Sequence, residues 1–433
     1  MRFGLSQIDI TPPFRMPMYG YGGREDSFDA VNDPVTFTAL VLEEGGRRAL
    51  IGAADLCEYP LDGSALELLE HLGGVVGCPR DNVLINTSHT HGGPAVPGRS
   101  LYNRSLRGSS GFRRYGDWLR EQITAAAREA AGSLSEGTLW YGEGKTDVPL
   151  NRRPERDGRV VNAPNPDGPF DDRLQVLALR DAAGELAAVG IRVSCHPVST
   201  GAQHLITSDY PGAWRAEFSR AFGPKVTPFF LQGAGADARP RHVAEGDHWK
   251  VIKHAELAAI GQALMAQTLA VLTRGKLVEV RDLVLAGKIN PIQAPCEKLY
   301  TTREALEDLL KSASGYTKLY AEECLRLLAA GEAVPDHAGL LVQTLWLNRE
   351  LPIIGLDCEA LIGLGRFVEA AVAPKKAMLL GYTNGCLCYV PDSAELKRGG
   401  YEASSYVFEP WSGPLLPGVE HLMAAAVVKE PPA

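Results

Sequence analysis

The sequence has no stretch approaching 18 apolar residues, so no segment reads as a membrane span. It has no C-x-x-C pair and no H-E-x-x-H, which excludes the usual paired-thiol and helical metalloprotease signatures. No glycine-rich phosphate loop of either standard spacing occurs. Basic residues are not in excess: 44 Lys and Arg stand against 52 Asp and Glu. They are dispersed, so no nucleic-acid footprint is expected. The opening residues, Met1-Arg2-Phe3-Gly4-Leu5-Ser6-Gln7-Ile8-Asp9, lack the apolar core of a secretion signal, and the expectation is a cytoplasmic protein. The eight cysteines fit reduced thiols in that compartment. Cys386 and Cys388 are too close for an easy disulfide and read as small strand residues. Neither internal repeats nor a linker is visible, so residues 1–433 are expected to form one large domain.

What is present is enough apolar residue, 45%, for a substantial core. Strands are expected at 36–43 and 47–53, joined by Glu44-Gly45-Gly46, and at 174–179 and 186–193. The strongest hairpin signal is Thr383-Asn384-Gly385, between runs at 377–382 and 386–390. Further strands are read at 82–87, 227–232, 277–288, 340–347 and 351–356. Helical periodicity marks 64–71, closed by Gly73-Gly74, and 115–131, 213–221 and 248–272. It also marks 302–330, loosened near 312–315 and read as surface scaffolding. Many hairpins with long helices between them predict an α+β fold, with mostly antiparallel or mixed sheets surrounded by helices.

Several strands end in small-residue turns that hold polar groups. The strand 82–87 runs into Ser88-His89-Thr90-His91-Gly92-Gly93-Pro94. If it continues, His89 and His91 share one face; if the glycines bend the chain, the pair still sits together. The strand 186–193 runs into His196-Pro197, and 227–232 into Gly233-Ala234-Gly235-Ala236-Asp237-Ala238-Arg239-Pro240. Glu359 follows the strand 351–356, and Tyr389 and Tyr401 come later. Two histidines, a carboxylate and one more oxygen donor from this set make a four-coordinate zinc site of catalytic type. Asp55, at the end of an apolar strand, reads as a helix cap or a site residue. The loop 151–172 carries Arg152, Arg153, Arg156 and Arg159; the last three read as a solvated face. Tyr19 to Gly23 is an irregular glycine and aromatic loop suited to lining a site.

In order, Ile10-Thr11-Pro12, His89-Thr90-His91-Gly92-Gly93-Pro94, Asn151-Arg152, His196-Pro197, Ser208-Asp209, 232–240, Glu359, and Tyr389 to Tyr401-Glu402 resemble the neutral/alkaline ceramidase family over nearly the whole chain. The resemblance implies a zinc amidase. His89, His196, Glu359 and Tyr389 match zinc ligands, and His91 the active-site histidine that is not a ligand. Arg152 matches a substrate-side arginine, and Tyr401 the tyrosine facing the developing oxyanion. The family loop Gly-Asp-x-Ser-Pro is Ala236-Asp237-Ala238-Arg239-Pro240 here, so Arg239 stands where the family has its serine. The core is expected without the family's immunoglobulin-like C-terminal domain.

The expected function is therefore hydrolysis, with Zn2+ as cofactor, of an amide bond in a small polar or acidic substrate. His91 is the base, Tyr401 the oxyanion donor, Arg152 a substrate-side group and Asp237 an orienting residue. Arg239 is expected to bind substrate, since arginine suits carboxylate or phosphate. No membrane or nucleic-acid partner is expected, and a homo-oligomer is left open. The rival readings are a lactonase, esterase or sugar-processing enzyme on the same core, and an inactive ligand-binding homologue.

Overall fold

The computed structural model describes residues 1–432 apart from 23, 25–26, 59–64, 99–100, 102–105, 107–110 and 275–276. Strand β1 (Arg2–Asp9) lies antiparallel to β2 (Thr36–Glu44), and β3 (Arg47–Ala54) returns through Gly45-Gly46, both at positive φ. This is the hairpin expected there. Strand β4 (Val83–Thr87) adds in parallel to β3 after helix α1 (Ala65–Val76). The helix runs through Gly73-Gly74 and stops at Gly77, φ 79°, later than expected. A Cβ on Gly73 would sit 2.7 Å from the Cys78 carbonyl, so that glycine serves close packing, not a stop. The expected start at Ser64 lies outside the described residues.

Helix α2 (Phe112–Gly132) leads into β5 (Ser135–Lys145), then β6 (Arg173–Asp181) and β7 (Leu186–Val193). Helix α3 (Asp209–Phe222) precedes β8 (Thr227–Gln232), which joins β7 in parallel. The large sheet runs β8-β7-β6-β5-β1-β2-β3-β4. Helix α4 (Leu257–Arg274) starts later than expected, because His248–Trp249 is a short strand. The expected strand 277–288 is split: Val278–Glu279 pairs with β5, and β9 (Ala286–Pro295) opens a second sheet. Asp282 and Leu285, both at positive φ, turn the chain between them. Helices α5 (Arg303–Leu310) and α6 (Gly315–Ala329) divide where the sequence loosens.

The second sheet runs β9, β10 (His337–Trp346), β11 (Pro352–Leu356) and β13 (Met378–Leu380), the last pair parallel. Between them lie β12 (Glu359–Ala360) and helix α7 (Ile362–Glu369). The Asn-Gly hairpin does not form. The chain after Asn384 continues to β14 (Tyr389–Val390), which pairs in parallel with β12 instead of returning along β13. Asn384 does take the left-handed conformation, φ 57°, which gave the signal. Its buried side chain accepts from the Ile85 amide at 2.8 Å and donates to Gln343 at 2.6 Å.

Alternating side chains of the large sheet face opposite layers. Phe37, Ala39 and Val41 pack under α1 and α2, while Leu40 and Leu42 meet Leu345, Ile353 and Leu380 of the second sheet. The far side of the second sheet is covered by α7 and α9 (Val419–Ala426), reached after α8 (Ser393–Arg398). The order is helices, sheet, sheet, helices, an α+β fold as expected. Helix 254–274 has the length and hydropathy of a membrane span, contrary to the reading that no segment does. Its Leu257, Ile260, Leu264 and Met265 pack with Trp214 and Phe218 of α3.

Candidate metal centre and its cleft

Strands β4 and β8 are opposite edges of the large sheet, yet the sheet curls until they meet. Asn86 joins them: its Oδ1 accepts from the Gln232 amide at 2.7 Å, and its Nδ2 donates to the Gly381 carbonyl at 2.7 Å. A side-chain amide here does what a ladder does elsewhere. This closure brings the turn after β4 against those after β7 and β8.

His89 is not on a continued strand. Its φ is 61°, a conformation costing about 1–3 kcal/mol at a non-glycine residue. The His89 amide donates to the Leu56 carbonyl at 2.9 Å and the Ser88 amide to that of Ala54 at 2.8 Å, which hold the turn. His89 Nδ1 donates to the Cys57 carbonyl at 2.6 Å, and His196 Nδ1 donates to the Gly235 carbonyl at 3.0 Å. A carbonyl only accepts, so both Nδ1 atoms carry the hydrogen and both Nε2 atoms are left as ligands. Each Nε2 lies 3.1 Å from Glu359 Oε2, and donor atoms of the three residues fall within 4.8 Å of one another. A Cβ on Gly235 would lie 2.3 Å from the Ser194 backbone, so only glycine permits that approach.

Two imidazole lone pairs aimed at one carboxylate suit a cation among them. Burial and the Arg152 charge depress His196 to about 4. Glu359 and Tyr389 are neighbours across the β12–β14 pair. The Tyr389 ring stacks on His196 at 6.1 Å between centroids. The donor set, with fixed tautomers, fits a divalent metal of the zinc class.

His91 Nε2 is 3.2 Å from His89 Nε2. His91 groups with His89 and Cys57, not with the His196–Glu359 set. Burial and the two neighbouring histidines hold its pKa well below the ordinary value. Gly20, φ 101°, lets the chain cross this ring, since a Cβ there would be 2.5 Å from His91 Cγ. The cleft above is lined by Tyr19, Gly20, Tyr316, Leu387, Tyr401 and Phe408 besides the polar centre. Its empty volume is about 540 Å³. Tyr401, 52% exposed, stands at the rim, with its hydroxyl pushed up by burial to about 12.

Other expected site residues stand farther back. Arg152 is not in the cleft lining. Its Nε donates to Glu402 at 2.9 Å, and its guanidinium lies 5.3 Å from the Tyr389 ring centroid. Arg153 corrects its expectation as a solvated group: it is buried and paired with Glu395 and Glu402. Arg156 and Arg159 are exposed as expected. Asp237 accepts from the Ile362 amide at 3.0 Å, and its own carbonyl accepts from the Arg152 amide at 2.8 Å. It ties the loop to the start of α7, and burial lifts its carboxyl to about 7. Arg239 is also outside the lining. Asp55 is neither cap nor site: it is buried and takes Arg215, Ser208 and Thr36.

Cys57, Cys386, Tyr382, Tyr316 and Phe408 are absent from the expectations for the site. Cys57 and Cys386 lie 3.6 and 3.9 Å from His89 Nδ1, and Tyr382 packs on the His89 ring at 4.4 Å. Tyr316 sits on α6, so that helix is more than scaffolding. The only signal was an unplaced aromatic at the helix start.

No family model matches the sequence. Solved structures do match. The neutral ceramidase of Pseudomonas aeruginosa superposes with a TM-score of 0.72 at 21% identity, over 98% of this chain and 72% of that one. A ceramidase complexed with C2 gives 0.71 and 21%, over 98% and 73%. The fold is that of neutral ceramidase. The turns after β4, β7 and β11 bring His89, His196 and Glu359 together, whereas Asp237, after β8, lies outside the cleft lining.

Proposed function

We propose that the protein is a zinc-dependent hydrolase that cleaves a C–N amide bond in a small polar substrate. The observation that carries this reading is the pair of tautomer-fixed histidines, each 3.1 Å from Glu359, with a third histidine alongside. His89, His196, Glu359 and Tyr389 would hold the metal. When bound, zinc supplies a Lewis acid that lowers the pKa of water toward about 7 and polarises a carbonyl. His91, kept neutral by burial and its neighbours, accepts the water proton at Nε2 and returns it to the leaving amine. The Tyr401 hydroxyl stays protonated at neutral pH and donates to the oxyanion as it forms. Arg152 acts through Tyr389 and Glu402, and Asp237 positions the segment after Glu359. Ceramide, with two long apolar arms, is not the proposed substrate, because Arg239 stands where the family has its serine.

A second reading keeps the centre and changes the bond to a lactone or ester. Arg239 in place of the family serine favours it. A screen of N-acyl, O-acyl and glycosyl compounds on the wild type and His91→Ala separates the two. Turnover confined to N-acyl compounds and lost in the variant supports the amidase; turnover confined to O-acyl compounds replaces it. We also assign the protein to the cytoplasm, a reading supported by its eight free cysteines.

A further inference from the structure

Behind the turn whose Pro197 carbonyl accepts from the His91 amide at 3.3 Å lies a cation with no counter-ion among the described residues. Arg239 Nε is buried and donates to nothing among the described residues. The one bond its guanidinium makes among the described residues is long, 3.4 Å from Nη2 to the Val198 carbonyl. The group lies 4.9 Å over the Trp249 ring, and no carboxylate among the described residues pairs with it. Asp209, a carboxylate in its field, is already committed. Its oxygens take the Ser199 amide at 2.8 Å, the Ser199 hydroxyl at 2.6 Å and the Tyr210 amide at 2.7 Å. Arg152 adds repulsion, while its own charge is matched by Glu402. A part-buried charge left in this condition is costly unless an anion meets it.

Two more donors are unused in the same neighbourhood. The Tyr21 hydroxyl is buried without a partner among the described residues and lies in the field of Arg239. Its ring meets His91 edge-on at 4.9 Å, so this niche adjoins the reacting centre. The indole N–H of Trp249, under the guanidinium, is also buried and unused.

We propose that Arg239 and Tyr21 form a carboxylate subsite, and that the substrate is a small amide carrying one carboxylate close to the scissile bond, as in an N-acyl amino acid. The inference rests on the amide reading above. The positive charge of Arg239, unpaired among the described residues, matches a monoanion, and a guanidinium N–H with a hydroxyl can serve the two oxygens of one carboxylate. A phosphate dianion would remain half neutralised.

The test is calorimetric binding of N-acetylglycine and its methyl ester to the zinc-loaded protein, to Arg239→Leu and to Tyr21→Phe. The acid is expected to bind at least about 10-fold more tightly than the ester in the wild type, the scale of one charge-assisted hydrogen bond. The gap closes in Arg239→Leu and narrows in Tyr21→Phe. Equal binding of acid and ester by the wild type overturns the proposal. So does a gap that survives in Arg239→Leu, which would seat the carboxylate elsewhere. Where Arg239→Leu fails to fold, Arg239→Lys replaces it and must narrow the gap. N-acetylethanolamine phosphate is the phosphate arm, and tighter binding of it than of the acid also overturns the carboxylate assignment. Discrimination without turnover leaves the subsite standing and sinks the amidase; turnover without discrimination does the reverse.

Discussion

At the scale of single residues, the account assigns separate tasks to two adjacent histidines. His89 is locked by the Cys57 carbonyl and faces Glu359, whereas His91 has a buried Nδ1 with no partner among the described residues. His91→Ala should therefore lower turnover by roughly 100-fold or more, a typical loss for a general base, while metal content stays unchanged. Loss of metal in that variant would move His91 into the ligand set. Tyr401→Phe removes one oxyanion donor and should cost about 3 kcal/mol in kcat; an unchanged kcat would remove Tyr401 from the chemistry. The strand-end histidines and Glu359 were legible because a polar group after an apolar strand has few structural reasons to be there. Arg153 and Asp55 were not, since burial with a distant partner leaves no local mark. The partners of Arg153 are Glu395 and Glu402, over 240 positions away.

At the scale of elements, the centre depends on side chains that stand in for missing ladder bonds. Asn86→Leu would leave the Gln232 amide without its acceptor at the β4–β8 seam, while the Gly381 carbonyl would keep the Thr383 hydroxyl at 2.8 Å. A cost of about 1–3 kcal/mol is expected in chemical denaturation, the scale of one buried unpaired group. A loss under 0.5 kcal/mol would mean the seam closes without it. The Asn-Gly signal misled for the same reason: Asn384 supplied the left-handed turn, but its amide served β4 instead of a hairpin.

Arg192 on β7 links the layers likewise, donating to Asp171 at 2.5 Å and to the Leu379 carbonyl of β13 at 3.0 Å. Burial raises the Asp171 carboxyl, but Arg192 and Arg173 outweigh it and hold it well below its ordinary 3.8. The stability it contributes is complete above that value and is lost as pH falls through and below it. Asp171→Asn should cost about 3–5 kcal/mol at pH 7 and flatten the acid limb of the stability curve. Unfolding profiles of the two proteins from pH 2 to 7 that run parallel would refute this.

At the scale of the whole molecule, two sheets packed face to face between helical layers give rigid strand ends, and the turns beyond them carry the chemistry. The alternation of strand residues made the layers legible in outline. The order of strands was not, because the meeting of β4 with β8 depends on the accumulated curl of an eight-strand path, and no local segment encodes it. The aromatic rim was also hidden, since Tyr316 and Phe408 come from segments far apart in the chain. A metal bound only by the folded state stabilises it. Chelation should therefore lower the melting temperature of the wild type and leave Glu359→Ala unaffected. Equal shifts in both would place the metal elsewhere.

The most direct test is elemental analysis of the purified protein beside His196→Ala. The account predicts about one zinc per chain in the wild type and little in the variant. No bound metal in the wild type, even after zinc is supplied, would contradict it.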